Sequence, residues 1–192
     1  GAAGGIYASV NDLSKWLITN LNNGAYGKDL NKQLISRKNH RELWKPHTNI
    51  AFSVVPEPPY KTHFNAYGLG WQLSDKSGYV VIEHTGGLPG MLSRTILIPE
   101  LNVGIVVLTN TDPGGYGFWT IPNIIQDAYL GVPKKDWITQ VTDRLQKNNT
   151  ESESITKAVW KTVAKAKSHH IKHADYVGTY KDNWFGKIKM LQ

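Results

Sequence analysis

The spacing of apolar residues changes period along this chain. Val10, Leu13, Trp16, Leu17 and Leu21 recur at three- and four-residue steps, the signature of one buried helix face. Ser9 stands where an N-cap belongs, with Asp12 three residues on, and Asn22-Asn23-Gly24 supplies the stop. The pattern therefore predicts a helix over residues 9–22. Leu30, Leu34 and Leu43 predict a second helix within 29–45, and the Pro- and aromatic-rich stretch 46–63 predicts an irregular loop. From residue 66 the pattern shortens to that of strands. Strands are predicted at 66–73, 79–85, 92–98 and 103–109, with turns at Asp75-Lys76-Ser77-Gly78 and Pro99-Glu100-Leu101-Asn102. Val103–Leu108 is apolar throughout, which predicts a strand covered on both faces.

The helical period returns at 120–130. Thr120 is the expected N-cap, Pro122 fits the first turn, and Ile124, Ile125, Ala128 and Tyr129 form the expected buried side. Gly131 and Pro133 end it. Residues 135–150 read as a polar helix and linker, closing with Gln146-Lys147-Asn148-Asn149-Thr150, and 152–168 as a lysine-rich helix with Ile155, Val159 and Val163 in register. Tyr176–Tyr180 and Gly186–Met190 then alternate like two strands around an aromatic turn. A lone hairpin is marginal in water, so this one is expected to open a longer β-rich segment. The fold class predicted is α+β: an antiparallel sheet with helices on its faces, a helical linker and an incomplete hairpin. The domain boundaries expected are 1–131, 132–173 and 174–192.

Composition narrows the chemistry. The chain has 192 residues and no cysteine, which excludes disulfides, thiol catalysis and thiolate metal sites. No apolar run approaches the length of a membrane span. The net charge of +7 is read as a lysine-rich solvated surface, because no nucleic-acid motif or basic run accompanies it; no nucleic-acid partner is expected. Lys157, Lys161 and Lys165 lie at helical spacing and read as a solvated face. His169, His170 and His173 lack the glutamate of a His-Glu-x-x-His motif and read as a surface cluster, not a metal site.

The candidate chemistry sits at His84-Thr85-Gly86-Gly87, between the strand Tyr79-Val80-Val81-Ile82 and the turn Leu88-Pro89-Gly90. An imidazole, a hydroxyl and two glycines at a strand edge suit an acyl substrate, because glycines admit close approach and free N–H groups toward an oxyanion. This segment resembles the third active-site motif of the serine β-lactamase and penicillin-binding-protein superfamily. The motif is usually Lys-Thr-Gly; the form with His is familiar from that family's D-alanyl-D-alanine peptidases and class C-like esterases. Gly4-Gly5-Ile6-Tyr7-Ala8-Ser9-Val10-Asn11-Asp12-Leu13 resembles the family's glycine turn entering a helix. Tyr67-Gly68-Leu69-Gly70-Trp71 resembles one of its strands, and Ile98-Pro99-Glu100 with Val106-Val107-Leu108-Thr109-Asn110 its last hairpin. The resemblance covers about residues 1–130.

The resemblance implies roles residue by residue. His84 faces the cleft, where acid, base and carboxylate-binding roles are all open to it. Thr85 hydrogen-bonds a substrate carboxylate, Gly86 keeps the strand edge clear, and the Gly87 N–H is the second donor of the oxyanion hole. Tyr67 and Trp71 are open to lining the cleft, but aromatic residues in a strand are more often core, which is the favoured reading for both. The family's nucleophile lies in Ser-x-x-Lys far upstream of this motif, and its second motif is Tyr-x-Asn. The chain holds no Tyr-x-Asn, and its one Ser-x-x-Lys, Ser154-Ile155-Thr156-Lys157, lies downstream in a polar stretch and reads as chance. The chain therefore reads as the C-terminal part of a serine hydrolase acting through an acyl-enzyme on an ester, a D-amino-acid peptide or a β-lactam. The competing reading is a non-catalytic peptide-binding or sensor module. No cofactor or metal is implied. The expected partners are a small-molecule or cell-wall peptide substrate and the N-terminal part of the same parent protein. The expected location is the periplasm or exterior of a bacterium.

Overall fold

The computed structural model describes residues 4–111, 115–165 and 172–191. It divides into two compact units, Gly1–Gln146 and Lys147–Gln192. In the first, α1 spans Val10–Leu21, followed by the short strands β1 (Ala25–Tyr26) and β2 (Lys32–Gln33), helix α2 (Arg37–Leu43) and strand β3 (Thr48–Phe52). Then come β4 (Phe64–Tyr67), β5 (Gln72–Lys76), β6 (Tyr79–Leu88), β7 (Met91–Ile98), β8 (Val103–Thr109) and helix α3 (Gly115–Leu130). The six strands β3 to β8 form one sheet in sequence order, each antiparallel to the next. The α+β class with an antiparallel sheet and helices is thus observed.

Alternation along β6 and β7 builds two cores. Ile82 and its partner Leu97 face α1 and pack with Leu17, Trp71 and Leu73. Val81, Ile96 and Ile98 face the opposite way and pack with Ile105 and Leu130 of α3. α1 lies close over β8, since a Cβ on Gly104 would sit 3.1 Å from the Leu17 Cβ. Ser9 caps α1 by accepting from the Asp12 N–H. β8 is covered on both faces only in part: Ile105 is buried, but Leu108 remains exposed.

Several sequence expectations are corrected. The helix expected over 29–45 begins only at Arg37, capped by Ser36. Leu30 takes a left-handed φ of +52° and Leu34 is exposed, so neither joins a helix face; Leu43 does pack on the core. Part of the expected loop 46–63 is strand β3, which is exposed along its whole length and so carries no inward-outward alternation to read. α3 starts at Gly115, before the expected cap, and Thr120 is buried inside it. Its buried face is Phe118, Pro122, Asn123, Gln126, Asp127 and Leu130, while Ile124 and Tyr129 face out. Polar partners on the sheet draw that face inward. The expected linker at 146–150 is helical, because α4 runs unbroken from Trp137 to Lys165.

In the second unit, β9 (Gly178–Asp182) pairs antiparallel with β10 (Gly186–Met190). The Asp182 carboxylate accepts from the N–H groups of Trp184 and Phe185, fixing the turn, and both aromatic rings are exposed. His169 and His170 lie outside the described residues. His173 opens a single exposed 3-10 turn, and among the described residues no cluster of His, Asp and Glu is placed to hold a metal ion.

His40 of α2 is fully buried, with its ring edge-on to Trp44. Burial pushes its pKa below the ordinary histidine value, opposed by a backbone hydrogen bond with Asn20. The unfolded chain therefore takes up the proton first as pH falls. Stability is full above about pH 6.5 and is lost as pH drops from there through the lower folded value. Urea unfolding at pH 8, 6 and 5 is expected to show this loss, and His40→Gln to flatten it.

Candidate active site

The site is set by where β5 stops. β5 pairs with β6 only as far as Gln72 opposite Glu83, whereas β7 follows β6 to Met91 opposite Leu88. Residues His84–Leu88 therefore have an open side among the described residues. The segment Tyr67-Gly68-Leu69-Gly70-Trp71 causes this opening. Gly70 turns the chain at φ +79°, and the Gly68 N–H donates to the Trp71 carbonyl at 2.8 Å. The Leu69 N–H donates to the Leu43 carbonyl at 2.9 Å, and a Cβ on Gly68 would collide with that oxygen. Trp71 is buried at the end of the turn.

The ladder fixes which backbone groups face the opening. Ser77 and Gly78, both at positive φ, form a two-residue turn closed by the pair Lys76 and Tyr79. Pairs that exchange hydrogen bonds alternate with pairs that do not. Tyr79, Val81 and Glu83 therefore bond toward β5, and Thr85 and Gly87 continue on that side, beyond the end of β5. The Val80 N–H, pointing the other way, donates to the Glu100 carboxylate at 3.0 Å. The open edge thus presents the N–H and carbonyl groups of both Thr85 and Gly87. An open groove of about 570 Å³ lies beside Gly86 and Gly87, walled in part by Tyr7, Leu88, Met91 and Leu108.

The side chains of the motif alternate across the sheet. His84 and Gly86 belong to the α1 face, Thr85 and Gly87 to the α3 face. His84 Nδ1 lies 2.6 Å from the Thr85 carbonyl oxygen, and Nε2 lies 2.8 Å from the Tyr67 hydroxyl. A carbonyl only accepts, so Nδ1 carries a proton. The two rings meet edge-on, 5.9 Å between centroids. Gly86 has a packing reason of its own: a Cβ there would fall 2.5 Å from the Ser93 Oγ on β7.

Behind the motif, Glu83 points to the α3 face and joins a buried ionic cluster. Its Oε1 accepts from Lys76 Nζ at 3.0 Å, and its Oε2 from Arg94 at 2.8 and 3.2 Å. Arg94 also donates to Asn123 Oδ1 at 2.9 Å, and Lys76 to Gln126 Oε1 at 3.3 Å. The Asp127 carboxylate accepts from the Tyr60 hydroxyl and the Trp137 indole, each at 2.6 Å. Burial alone would raise the Glu83 pKa, but the Lys76 and Arg94 cations outweigh it and hold the carboxyl below its ordinary value. Burial and the Asp127 carboxylate push the Tyr60 hydroxyl up.

A strand edge bearing an imidazole, with the Gly87 N–H turned outward, lies wholly inside the stretch 1–125 that matches the Beta-lactamase family model. The chain belongs to the Beta-lactamase family. It is 24% identical to an unguisins hydrolase of the fungus Aspergillus violaceofuscus over 98% of its own length. It spans about a third of that relative, 35%. The octameric penicillin-binding protein homologue of Pyrococcus abyssi shares the fold at a TM-score of 0.50 and 20% identity, over 65% of this chain and 24% of that one.

The structure places the four motif residues at one strand edge and adds Tyr67 to them. The sequence reading favoured the core over the cleft for Tyr67. It is half-buried, and its hydroxyl meets His84. Trp71 is core, as read. The Glu83 cluster had a signal in the sequence, a glutamate and an arginine each inside an otherwise apolar strand, that was passed over. Ser154 lies exposed on α4, and Lys157 beside it bonds Glu153 at 3.4 Å.

Glu83→Ala leaves the Lys76 and Arg94 cations without their shared buried carboxylate. The expected loss of folding stability is about 3–5 kcal/mol, read as a drop in the urea midpoint of the protein. Gly68→Ala forces a side chain onto the Leu43 carbonyl, and an overpacked contact of this kind costs about 1–3 kcal/mol. The same denaturation measurement checks it.

Proposed function

We propose that the chain supplies the substrate-binding strand edge of a serine hydrolase that works through an acyl-enzyme. The observation that carries this reading is the outward-facing Gly87 N–H on the stretch of β6 that β5 leaves open. In acyl transfer the nucleophile oxygen adds to the substrate carbonyl carbon, and the carbonyl oxygen becomes an oxyanion. A fixed N–H aimed at that oxygen stabilises the charge as it forms. Gly87 supplies one such donor, and the open groove beside it leaves room for the acyl group. Thr85 and Gly86 flank the substrate, and His84 stands beside the reacting carbonyl.

The nucleophile is assigned to a part of the protein outside these residues, because Ser154 sits on an exposed helix surface and its neighbour Lys157 bonds Glu153. The substrate classes are an ester, a D-amino-acid peptide or a β-lactam, and the location is the periplasm or exterior of a bacterium. Residues 174–192 open a further β-rich domain. A peptide-binding module without turnover would use the same edge, and the exposed setting of Ser154 is the observation in its favour.

The longest natural form of the protein is treated with a fluorophosphonate, and its intact mass is taken under denaturing conditions. An adduct outside the 192 residues is the expected result. An adduct on Ser154 would overturn the assignment of the nucleophile, and no adduct would leave the binding module. Gly87→Pro removes the proposed donor without breaking a ladder bond, because that N–H faces the open side. It is expected to lower kcat by about 10²–10³ and to leave the urea midpoint nearly unchanged.

A further inference from the structure

The second unit carries an apolar stripe that no side chain covers. Ile155, Val159 and Val163 of α4 recur at four-residue steps and so share one side of the helix. Trp160 stands at the margin of that side. All four side chains are exposed, Trp160 at 66%, and among the described residues of the second unit none is buried. The hydroxyls flanking the stripe are satisfied by the helix itself. Thr156 Oγ1 donates to the Ser152 carbonyl at 2.9 Å, and Thr162 Oγ1 to the Ala158 carbonyl at 3.0 Å. Covering this side would therefore strand neither hydroxyl. An exposed apolar patch rimmed by polar residues marks an interaction surface.

Charge decides what fits it. The second unit holds nine lysines against two glutamates and two aspartates, a net +5 of the chain's +7. Residues 154–174 include five lysines and no acidic residue. Of these, Lys157, Lys161 and Lys165 follow α4 at four-residue steps on the side away from the stripe. Lys157 bonds Glu153 at 3.4 Å, but both are exposed and such a pair is weak. A helix with its side chains is about 10–12 Å across, and charges act over about 8 Å at physiological salt. Lysines on the outer side of a helix lying on a charged surface therefore still feel it, and their flexible stems bring them closer.

A nucleic acid would use the lysines and leave the apolar stripe in water. A second copy would cover the stripe but oppose two units of the same charge. An anionic bilayer uses both, with the apolar side at the acyl boundary, the indole at the interface and the lysines among the headgroups. Among the described residues no helix is long and apolar enough to cross a membrane, so the helix would lie on the surface. The lysines alone read as a solvated face; the stripe beside them changes that reading.

We propose that residues 155–163 of α4 form a membrane-surface site through which the protein rests on an anionic bilayer. The inference is independent of the hydrolase reading.

The test is co-sedimentation of the longest natural form of the protein with phosphatidylcholine vesicles, with and without phosphatidylglycerol. Wild type is expected to bind the anionic vesicles about tenfold or more tightly than the neutral ones, and to lose that margin at high salt. Val159→Gln shortens the stripe without changing charge and is expected to weaken binding about fivefold. Lys161→Gln combined with Lys165→Gln keeps the stripe and is expected to weaken binding about 10–30-fold at low salt. These positions are exposed, so the urea midpoint is expected to stay near wild type. Brominated lipid is expected to quench tryptophan fluorescence, and Trp160→Phe to remove most of that quenching. No binding, or equal binding to both vesicles, would overturn the proposal. So would lysine-dependent binding that Val159→Gln leaves intact and that a duplex oligonucleotide shares, which would make this a nucleic-acid surface. A dimer that forms without lipid and is dissolved by Val159→Gln would make the stripe an interface between copies instead.

Discussion

The Glu83 carboxylate, shared between Lys76 and Arg94, is the contact on which the site depends. It ties three neighbouring strands together, since Lys76 lies on β5, Glu83 on β6 and Arg94 on β7. Through Asn123 and Gln126 it also fixes where α3 sits on the sheet. A buried ion pair is weak evidence for net stability, because desolvation offsets the Coulomb gain. What this one provides is register. A one-residue slip of β6 would turn Glu83 into the apolar face beside Leu17 and Trp71, and His84 into the cations. The register that satisfies the carboxylate is also the one that turns His84 toward Tyr67.

The second constraint is the withdrawal of β5. A strand edge becomes a binding edge only where its neighbour leaves, and here the neighbour leaves through two glycines with separate jobs. Gly70 supplies a left-handed turn, and Gly68 admits the carbonyl at the end of α2. The same five-residue segment carries Tyr67 at one end and the buried Trp71 at the other. Opening the edge and setting the histidine are thus one local event.

Much of this was legible in sequence, and the failures share a cause. Helix α1 and strands β6 to β8 follow from apolar periodicity because each has one face on a core; the single strand expected at 66–73 is instead the end of β4, a glycine turn and the start of β5, which runs on to Lys76. The His84–Gly87 motif follows from residue type and place. The pattern failed where burial is not apolar. α3 turns Asn123, Gln126 and Asp127 inward and leaves Ile124 and Tyr129 outside, so reading its apolar residues found Ile125, which packs on the core, but missed the polar side of the buried face. β3 failed for the opposite reason, since an edge strand with no buried side shows no alternation. Tyr67 failed because an aromatic residue in a strand has an apolar ring and a polar tip; the ring argued for core, while the hydroxyl meets His84.

An open strand edge is also a liability, since unpaired N–H and carbonyl groups template association with other chains. Only Thr85 and Gly87 turn their backbone groups outward on the open stretch of β6, and the Thr85 carbonyl is already bonded by His84 Nδ1. The turn at Pro89-Gly90 ends the strand directly after Leu88. What the edge leaves exposed is therefore the N–H of Thr85 and the donor and acceptor of Gly87. An acyl group at the reacting carbonyl engages that much, and a second β-strand would need a longer ladder. The imidazole that shapes the site thus also blunts the edge.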